Sequence, residues 1–187
     1  MRPSDAYCEV IAFLNTLDEE TRHRKNHRLP HEAYTISDTE FFFTICARHL
    51  GVPFTDDVLA RKIIEALLWY HTHNRWILYC YCLMPDHLHF IVKLPELAGR
   101  LINVGARGML LEGILEQVGY FKSYTTSQCW WKLGGHGLLW QKSSYDHVIR
   151  YNDSVEEAIY YVLNNSTRKD LAETWDQYPY AGLLVEL

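Results

Sequence analysis

Residues 40–48, Glu40-Phe41-Phe42-Phe43-Thr44-Ile45-Cys46-Ala47-Arg48, are rich in β-formers and predict a first strand. Gly51 and Pro53 then break the chain. Beyond them the spacing becomes helical. Val58, Leu59, Ile63, Ile64, Leu67 and Leu68 recur on one face of a helix that Thr55 caps and that runs to about Tyr70. Residues 75–83 and 87–94 predict a second and a third strand, with Met84-Pro85-Asp86 as the turn between them and Pro95 as the stop. Residues 106–128 read as helical in part, with Met109, Leu110, Ile114, Leu115 and Val118 apolar. Beyond the flexible Gly134-Gly135-His136-Gly137 loop, a fourth strand is expected near residues 145–149. A last helix is expected over 154–172, capped within residues 152–154. Residues 6–20 are weakly helical, and 173–187 read as a tail. The order β-α-β-β-α-β-α predicts an α+β, ferredoxin-like sandwich, an antiparallel sheet of about four to five strands with helices on one side.

The third strand carries the most informative residues. His87 and His89 stand one residue apart, so on a strand both imidazoles point to one face. Leu88, Phe90, Val92 and Leu94 occupy the alternate positions and form an apolar row, so the histidine face looks away from the core. Two imidazoles aimed into one space make a candidate divalent-metal site. His71 and His73 share the spacing but sit at a helix end without alternation, and read as structural.

The last helix has two distinct faces at about 100° per residue. Val155, Ile159, Val162 and Leu163 define its buried stripe, with Tyr160 on the flank. Tyr161, Asn165, Arg168 and Glu157 lie on the opposite side. Tyr161 and Asn165 are i and i+4 neighbours and can address one site.

Composition narrows the class. The 187 residues are 48% hydrophobic, with 13 Tyr and 6 Trp, enough for a folded core. No apolar run approaches the roughly 20 residues that span a bilayer. The N-terminus lacks a basic-then-apolar leader, so a cytoplasmic protein is expected, with no membrane partner. Five cysteines, an odd number without a repeated CxxC spacing, do not resemble a disulfide framework or a zinc ribbon. Cys80 and Cys82 share a strand face, as buried thiols or as a soft-metal pair. A net charge of −5 argues against a surface that blankets DNA. Local basic clusters remain, above all Arg22, Arg24, Lys25 and Arg28, with Lys122, Arg150, Arg168 and Lys169 as further phosphate candidates. Trp130, Trp131 and Trp140 are candidates for stacking unpaired bases or for core packing.

A phenol is a weak nucleophile at neutral pH. It becomes useful where a metal neutralises phosphate charge and a neighbouring group aligns the attack. Two histidines and an amide oxygen give three neutral ligands and leave positions open for water and phosphate oxygens, as magnesium or manganese would accept.

Four blocks in order carry a specific resemblance: Leu83-Met84-Pro85-Asp86-His87-Leu88-His89-Phe90, Leu139-Trp140-Gln141-Lys142, Tyr145-Asp146-His147-Val148-Ile149-Arg150 and Tyr161-Val162-Leu163-Asn164-Asn165. The chain resembles the single-tyrosine HUH transposases, and among them the REP-associated tyrosine transposases, from about Leu29 to Leu171. The resemblance implies a catalytic domain over 31–172, an N-terminal extension with a basic segment over 1–30, and a tail over 173–187. It implies His87, His89 and Asn165 as ligands of Mg²⁺ or Mn²⁺, and Tyr161 rather than Tyr160 as nucleophile. Asp86 and His147 are neighbours of that site. The implied partner is single-stranded DNA with a hairpin, a REP-like palindrome, cut through a 5′-phosphotyrosine intermediate. The family often has Asn where Asp86 stands, and Pro where Ser166 follows Asn165. A domesticated, weakly catalytic or non-catalytic hairpin-binding protein is the alternative, and a metal hydrolase using the same histidines is a more distant one. Monomer and homodimer are both open, as is whether the tyrosine serves its own site or a partner's.

Overall fold

The computed structural model describes residues 31–37, 39–48, 51–95, 101–103, 109–149 and 153–185. Expectations for residues 6–20 and the basic cluster after them lie outside the described residues.

Five strands form one antiparallel sheet: β1 (Glu40–Cys46), β2 (Ile77–Leu83), β3 (His87–Lys93), β6 (Tyr145–Ile149) and β7 (Ala181–Leu183). Their order is β6-β1-β3-β2-β7. The first four strands in that order have the ferredoxin-like arrangement, with β1 and β3 at the centre. Strand β1 shows why. Phe41, Phe43 and Ile45 are fully buried on one face, while Phe42, Thr44 and Cys46 take the other. Leu88, Phe90 and Val92 continue the first face across β3, where Phe43 stacks on Phe90 at 5.4 Å.

Helix α1 (Asp57–Thr72) lies over that apolar face. Asp56 caps it, its carboxylate accepting from Leu59 N at 2.8 Å. Leu59, Ala60, Ile63, Leu67 and Tyr70 are buried, whereas Val58 is exposed and falls outside the expected stripe. The helix ends in a Schellman motif. Asn74 takes φ +57°, Asn74 N donates to His71 O, and Arg75 N donates to Tyr70 O. Helix α2 (Ile114–Tyr124) packs beside α1 and continues into a π-helical turn, Thr125–Trp130.

Several expectations need correction, beginning with the cap of α1, which is Asp56 and not Thr55. Residues 109–111 are not helical. They form β5 (Met109–Leu111), paired with β4 (Leu101–Asn103), and α2 begins only at Ile114, where Glu116 accepts from Gly113 N at 2.9 Å. Helices do not lie on one side alone. Helix α3 (Val155–Leu163) packs on the histidine face, where Ile159, Val162 and Leu163 meet Cys80, Cys82, Met84 and Ile91 in a second core. The histidine face therefore has a core of its own, and the two cysteines are buried thiols within it. Burial pushes the Cys82 thiol up to about 12 and raises Cys80 as well.

The last helix is also not continuous to residue 172. It stops at Leu163, resumes as the single turn α4 (Asn165–Arg168), and is closed by Asp170 at φ +56°. Asn164, Asn165 and Ser166 return their side chains to the carbonyls of Tyr160, Tyr161 and Leu163, which competes with regular helix bonding.

The segment expected as a tail supplies the fifth strand. β7 pairs with β2, Gly182 opposite Tyr81, and a Cβ at Gly182 would stand 2.6 Å from the Tyr81 ring. A side chain at that position would force the buried Tyr81 ring to shift. Tyr178 is buried and its hydroxyl donates to Leu83 O at 3.0 Å. Tyr178→Phe should therefore cost about 1 to 2 kcal/mol by leaving that carbonyl without its donor. Urea unfolding measures it, and an unchanged midpoint would mean that the Tyr178 hydrogen bond contributes nothing to the fold.

Candidate functional site

The register of the sheet assembles the site. Thr44 on β1 and Cys82 on β2 both pair with His89, and Cys46 pairs with His87. Phe42 pairs with Ile91 on one side and with His147 of β6 on the other. One sheet face therefore presents Phe42, Thr44, His87, His89, Tyr145 and His147. Helix α3 lays Ala158 and Tyr161 over this face and closes an open cavity of about 560 Å³ above it.

The two imidazoles converge. His87 Nε2 and His89 Nε2 are 3.0 Å apart. Each ring is fixed from behind: Asp86 Oδ1 meets His87 Nδ1 at 2.6 Å, and Thr44 Oγ1 meets His89 Nδ1 at 2.7 Å. A carboxylate only accepts, so His87 carries its proton on Nδ1 and turns a lone pair outward at Nε2. Thr44 can accept or donate, so it supports either tautomer of His89. With a cation present, His89 would give its Nδ1 proton to Thr44 and turn a second lone pair to the same point.

This donor set fits a divalent cation. Two imidazole nitrogens that converge on one point could each turn a lone pair to such an ion, and neither carries a charge that would bar phosphate oxygens from its other positions. Among the described residues, no three His, Cys, Asp or Glu side chains gather as a metal-binding group. Any third ligand from the described residues is therefore of another residue type.

His89 is only 7% exposed. Burial first, and the neighbouring His87 second, lower its pKa from 6.5 to about 3. The ring thus stays neutral well below pH 6.5, which keeps a lone pair available.

Tyr161 stands over the pair. Its ring centroid is 6.2 Å from that of His89 and 6.0 Å, edge-on, from that of Phe42. Arg168 places its guanidinium 5.2 Å from the Tyr161 ring centroid. Tyr160, the neighbouring residue, is 70% exposed and points away from this cavity. Asn165 is buried, and its amide nitrogen donates to Tyr161 O at 2.7 Å. The amide braces the tyrosine's own turn, and no hydrogen bond joins it to either histidine among the described residues.

The other expected residues divide clearly. His147 lines the cavity, half-exposed, 3.6 Å from Asp153. Lys122 does not line the histidine cavity and donates to the carbonyls of Lys142 and Ser143. Lys169 is exposed. Arg22, Arg24, Lys25, Arg28 and Arg150 lie outside the described residues. Trp140 is buried and donates to Thr125 Oγ1, so it packs the core, while Trp131 keeps an exposed ring. His71 and His73 are engaged at the end of α1, the first accepting from Leu78 N and the second stacked on Trp69 at 4.0 Å.

Two participants were missed in the sequence. Thr44 orients His89, and only the polar position within an aromatic strand hinted at it. Tyr145, 60% exposed, shares the cavity and is a second phenol within it.

No family model matches the sequence, and no curated protein matches it. Among solved structures, the chain is similar to a REP-associated tyrosine transposase bound to a REP hairpin, with a TM-score of 0.60 and 18% identity over 84% of this chain and 82% of that one. A candidate transposase from Deinococcus radiodurans aligns with a TM-score of 0.45 and 14% identity, over 80% of this chain and 92% of that one. The first likeness establishes the fold. No helix among the described residues is long and apolar enough to cross a membrane.

The His89 pKa gives a pH prediction for the metal-free protein. The unfolded chain takes up the His89 proton near pH 6.5 and the folded chain only near 3. Stability is therefore full above pH 6.5 and falls as pH drops toward 3, by up to about 1.4 kcal/mol per pH unit. His89→Gln should remove that part of the slope in urea unfolding measured across this range. An unchanged slope would contradict the assignment.

Proposed function

We propose that this chain cleaves and rejoins single-stranded DNA at or beside hairpins, with Tyr161 as nucleophile and Mg²⁺ or Mn²⁺ held by His87, His89 and Asn165. The observation that carries this reading is the Tyr161 ring set against His89 across an open cavity, while the adjacent Tyr160 faces solvent. The fold likeness to a transposase solved with a REP hairpin supports a hairpin as substrate.

In the proposed step the Tyr161 oxygen attacks the phosphorus of a phosphodiester. A tyrosine–phosphorus ester forms as the bond to the 3′-oxygen of the preceding nucleotide breaks. The phenol proton goes to solvent, and the departing oxygen takes one up as a free 3′-hydroxyl. One ester replaces another, so attack by a 3′-hydroxyl on the 5′-phosphotyrosine rejoins strands without a nucleotide cofactor. A bound divalent cation supplies charge stabilisation at the phosphate oxygens.

The chain's own residues set the geometry. Asp86 and Thr44 hold the two imidazoles, and Phe42 holds the phenol edge-on. Arg168 brings positive charge to the attacking side. Asn165 keeps its amide oxygen as the remaining acceptor once its nitrogen bonds Tyr161 O. His147 belongs to the cavity wall. Lys122, Lys169 and Arg150, with Arg22, Arg24, Lys25 and Arg28, are proposed to hold phosphates beyond the reacting one.

One observation favours the second reading, a hairpin-binding protein that has lost efficient chemistry: the Asn165 amide is turned to its own helix and not to the histidines.

Hairpin-bearing single-stranded DNA with Mg²⁺ or Mn²⁺ should give a covalent adduct that persists on a denaturing gel. Tyr161→Phe should abolish it, Tyr160→Phe and Tyr145→Phe should retain it, and EDTA should prevent it. Binding without any adduct would favour the second reading, and an adduct on Tyr161→Phe would sink the first. Thr44→Val should weaken Mn²⁺ affinity about tenfold or more, as loss of an outer hydrogen bond to a ligating histidine does. Calorimetric titration checks this, and unchanged affinity would show that Thr44 has no part in the site.

A further inference from the structure

A second feature begins where the histidine strand's partner ends. Ala47 N donates to Asp86 O at 2.8 Å, Arg48 N to Leu139 O at 2.8 Å, and Gln141 N to Cys46 O at 2.9 Å. These bonds bind the end of β1 to the segment 139–141 on one side and to the His87 turn on the other. A groove of about 790 Å³ opens there. The end of α2 and the π-helical turn form one wall, and residues 138–143 with Arg48 form the other.

The lining is unlike the rest of this acidic protein. Arg48, Lys122 and Lys142 all face the groove, and none of its described lining residues is acidic. Hydroxyls of Ser123, Ser127 and Ser143 stand among them. Trp131 lies on the wall with 52% of its surface exposed. Its indole N–H is tied to Gly137 O at 2.6 Å, which fixes the ring while leaving a face open. Lys122 donates to the carbonyls of Lys142 and Ser143 at 3.1 and 3.4 Å, so it braces the two walls. Arg48 and Lys142 have no side-chain hydrogen bond or ion pair among the described residues.

We propose that this groove is a single-stranded DNA channel, in which Arg48 and Lys142 hold backbone phosphates and Trp131 stacks a base. Cations and an exposed aromatic ring lining one groove match the backbone and the bases of an unpaired strand, and a duplex would hide those bases. The channel joins the metal-site end of the sheet directly. Arg48 lies two residues beyond Cys46, the partner of His87, or roughly 7 Å along the chain. Burial, and then Asp86 of the histidine turn, raise the Cys46 thiol's pKa, and the charge of Lys122 acts in the opposite sense, so Asp86 and Lys122 both stand near the end of β1. The π-helical turn widens the helix where Thr126 and Ser127 face the groove, a device often found at functional sites. A net charge of −5 is compatible with strand binding in this groove, because Arg48, Lys122 and Lys142 line it without a described acidic residue among them.

The inference rests on the reading of the protein as one that acts on single-stranded DNA, and two assays separate them. Full-length protein is titrated into a short fluorescent oligothymidylate that cannot fold, over a series of salt concentrations, by anisotropy. Arg48→Gln with Lys142→Gln should flatten the log–log salt slope by about 1.4, two contacts at about 0.7 each. Trp131→Ala should weaken binding about fivefold or more, and Trp131→Phe should restore most of it. Lys62→Gln, on an exposed α1 lysine outside the groove lining, should change neither by as much. Wild-type binding and slope in the groove variants would overturn the channel, as would an equal loss in Lys62→Gln or binding of oligouridylate alone. The covalent adduct on hairpin DNA is scored in parallel. An adduct without groove dependence leaves the Tyr161 chemistry and removes the channel, whereas groove-dependent binding with no adduct does the reverse.

Discussion

The antiparallel pairing of β1 with β3 is the constraint on which the rest depends. It sets Thr44 opposite His89 and Cys46 opposite His87, and it puts Phe43 and Phe90 together on the other face. A strand has period two, so a slip of one residue would drive both histidines into the aromatic core and turn Leu88 and Phe90 outward. The burial of Phe41, Phe43, Leu88 and Phe90 forbids that slip at a cost of several side chains at once. The hydrophobic effect thus fixes the polar site by fixing the register.

The second core gives the site its depth. Helix α3 buries Ile159, Val162 and Leu163 on the histidine face, and Tyr161 comes down on the same approach. Packing around His89 excludes water, which keeps that imidazole neutral and makes its bond to Thr44 matter more. Asn165 then ends the helix by bonding Tyr161 O, so the tyrosine sits on a turn held from both sides. The basic groove is the electrostatic complement: charge that would be costly beside a buried histidine is placed further along, at Arg48 and Lys142, in contact with solvent.

Much of this was legible in the chain. The run of β-formers at 40–48 and the alternation at 87–94 identified both central strands, and the HxH spacing identified the face its imidazoles share. The helical wheel separated Tyr161 from the buried stripe. What it could not show is pairing. Thr44 gained its role only when β1 met β3, and Tyr145 reached the cavity only when β6 met β1. The expected continuity of the last helix failed because three adjacent polar side chains, Asn164, Asn165 and Ser166, bond back to the backbone, an effect that apolar periodicity ignores. Residues 181–183 read as a tail because a three-residue edge strand is too short for alternation to be visible. Its place follows from Gly182 fitting under Tyr81.

The central claim is that Tyr161, and neither its neighbour Tyr160 nor the cavity's second phenol Tyr145, is the nucleophile of the proposed reaction. The most direct test is to digest the protein after reaction with hairpin DNA and to locate the attached nucleotide by tandem mass spectrometry. The account predicts a 5′-phosphate ester on Tyr161. Attachment at Tyr145 or Tyr160, or a link through a 3′-phosphate, would contradict it.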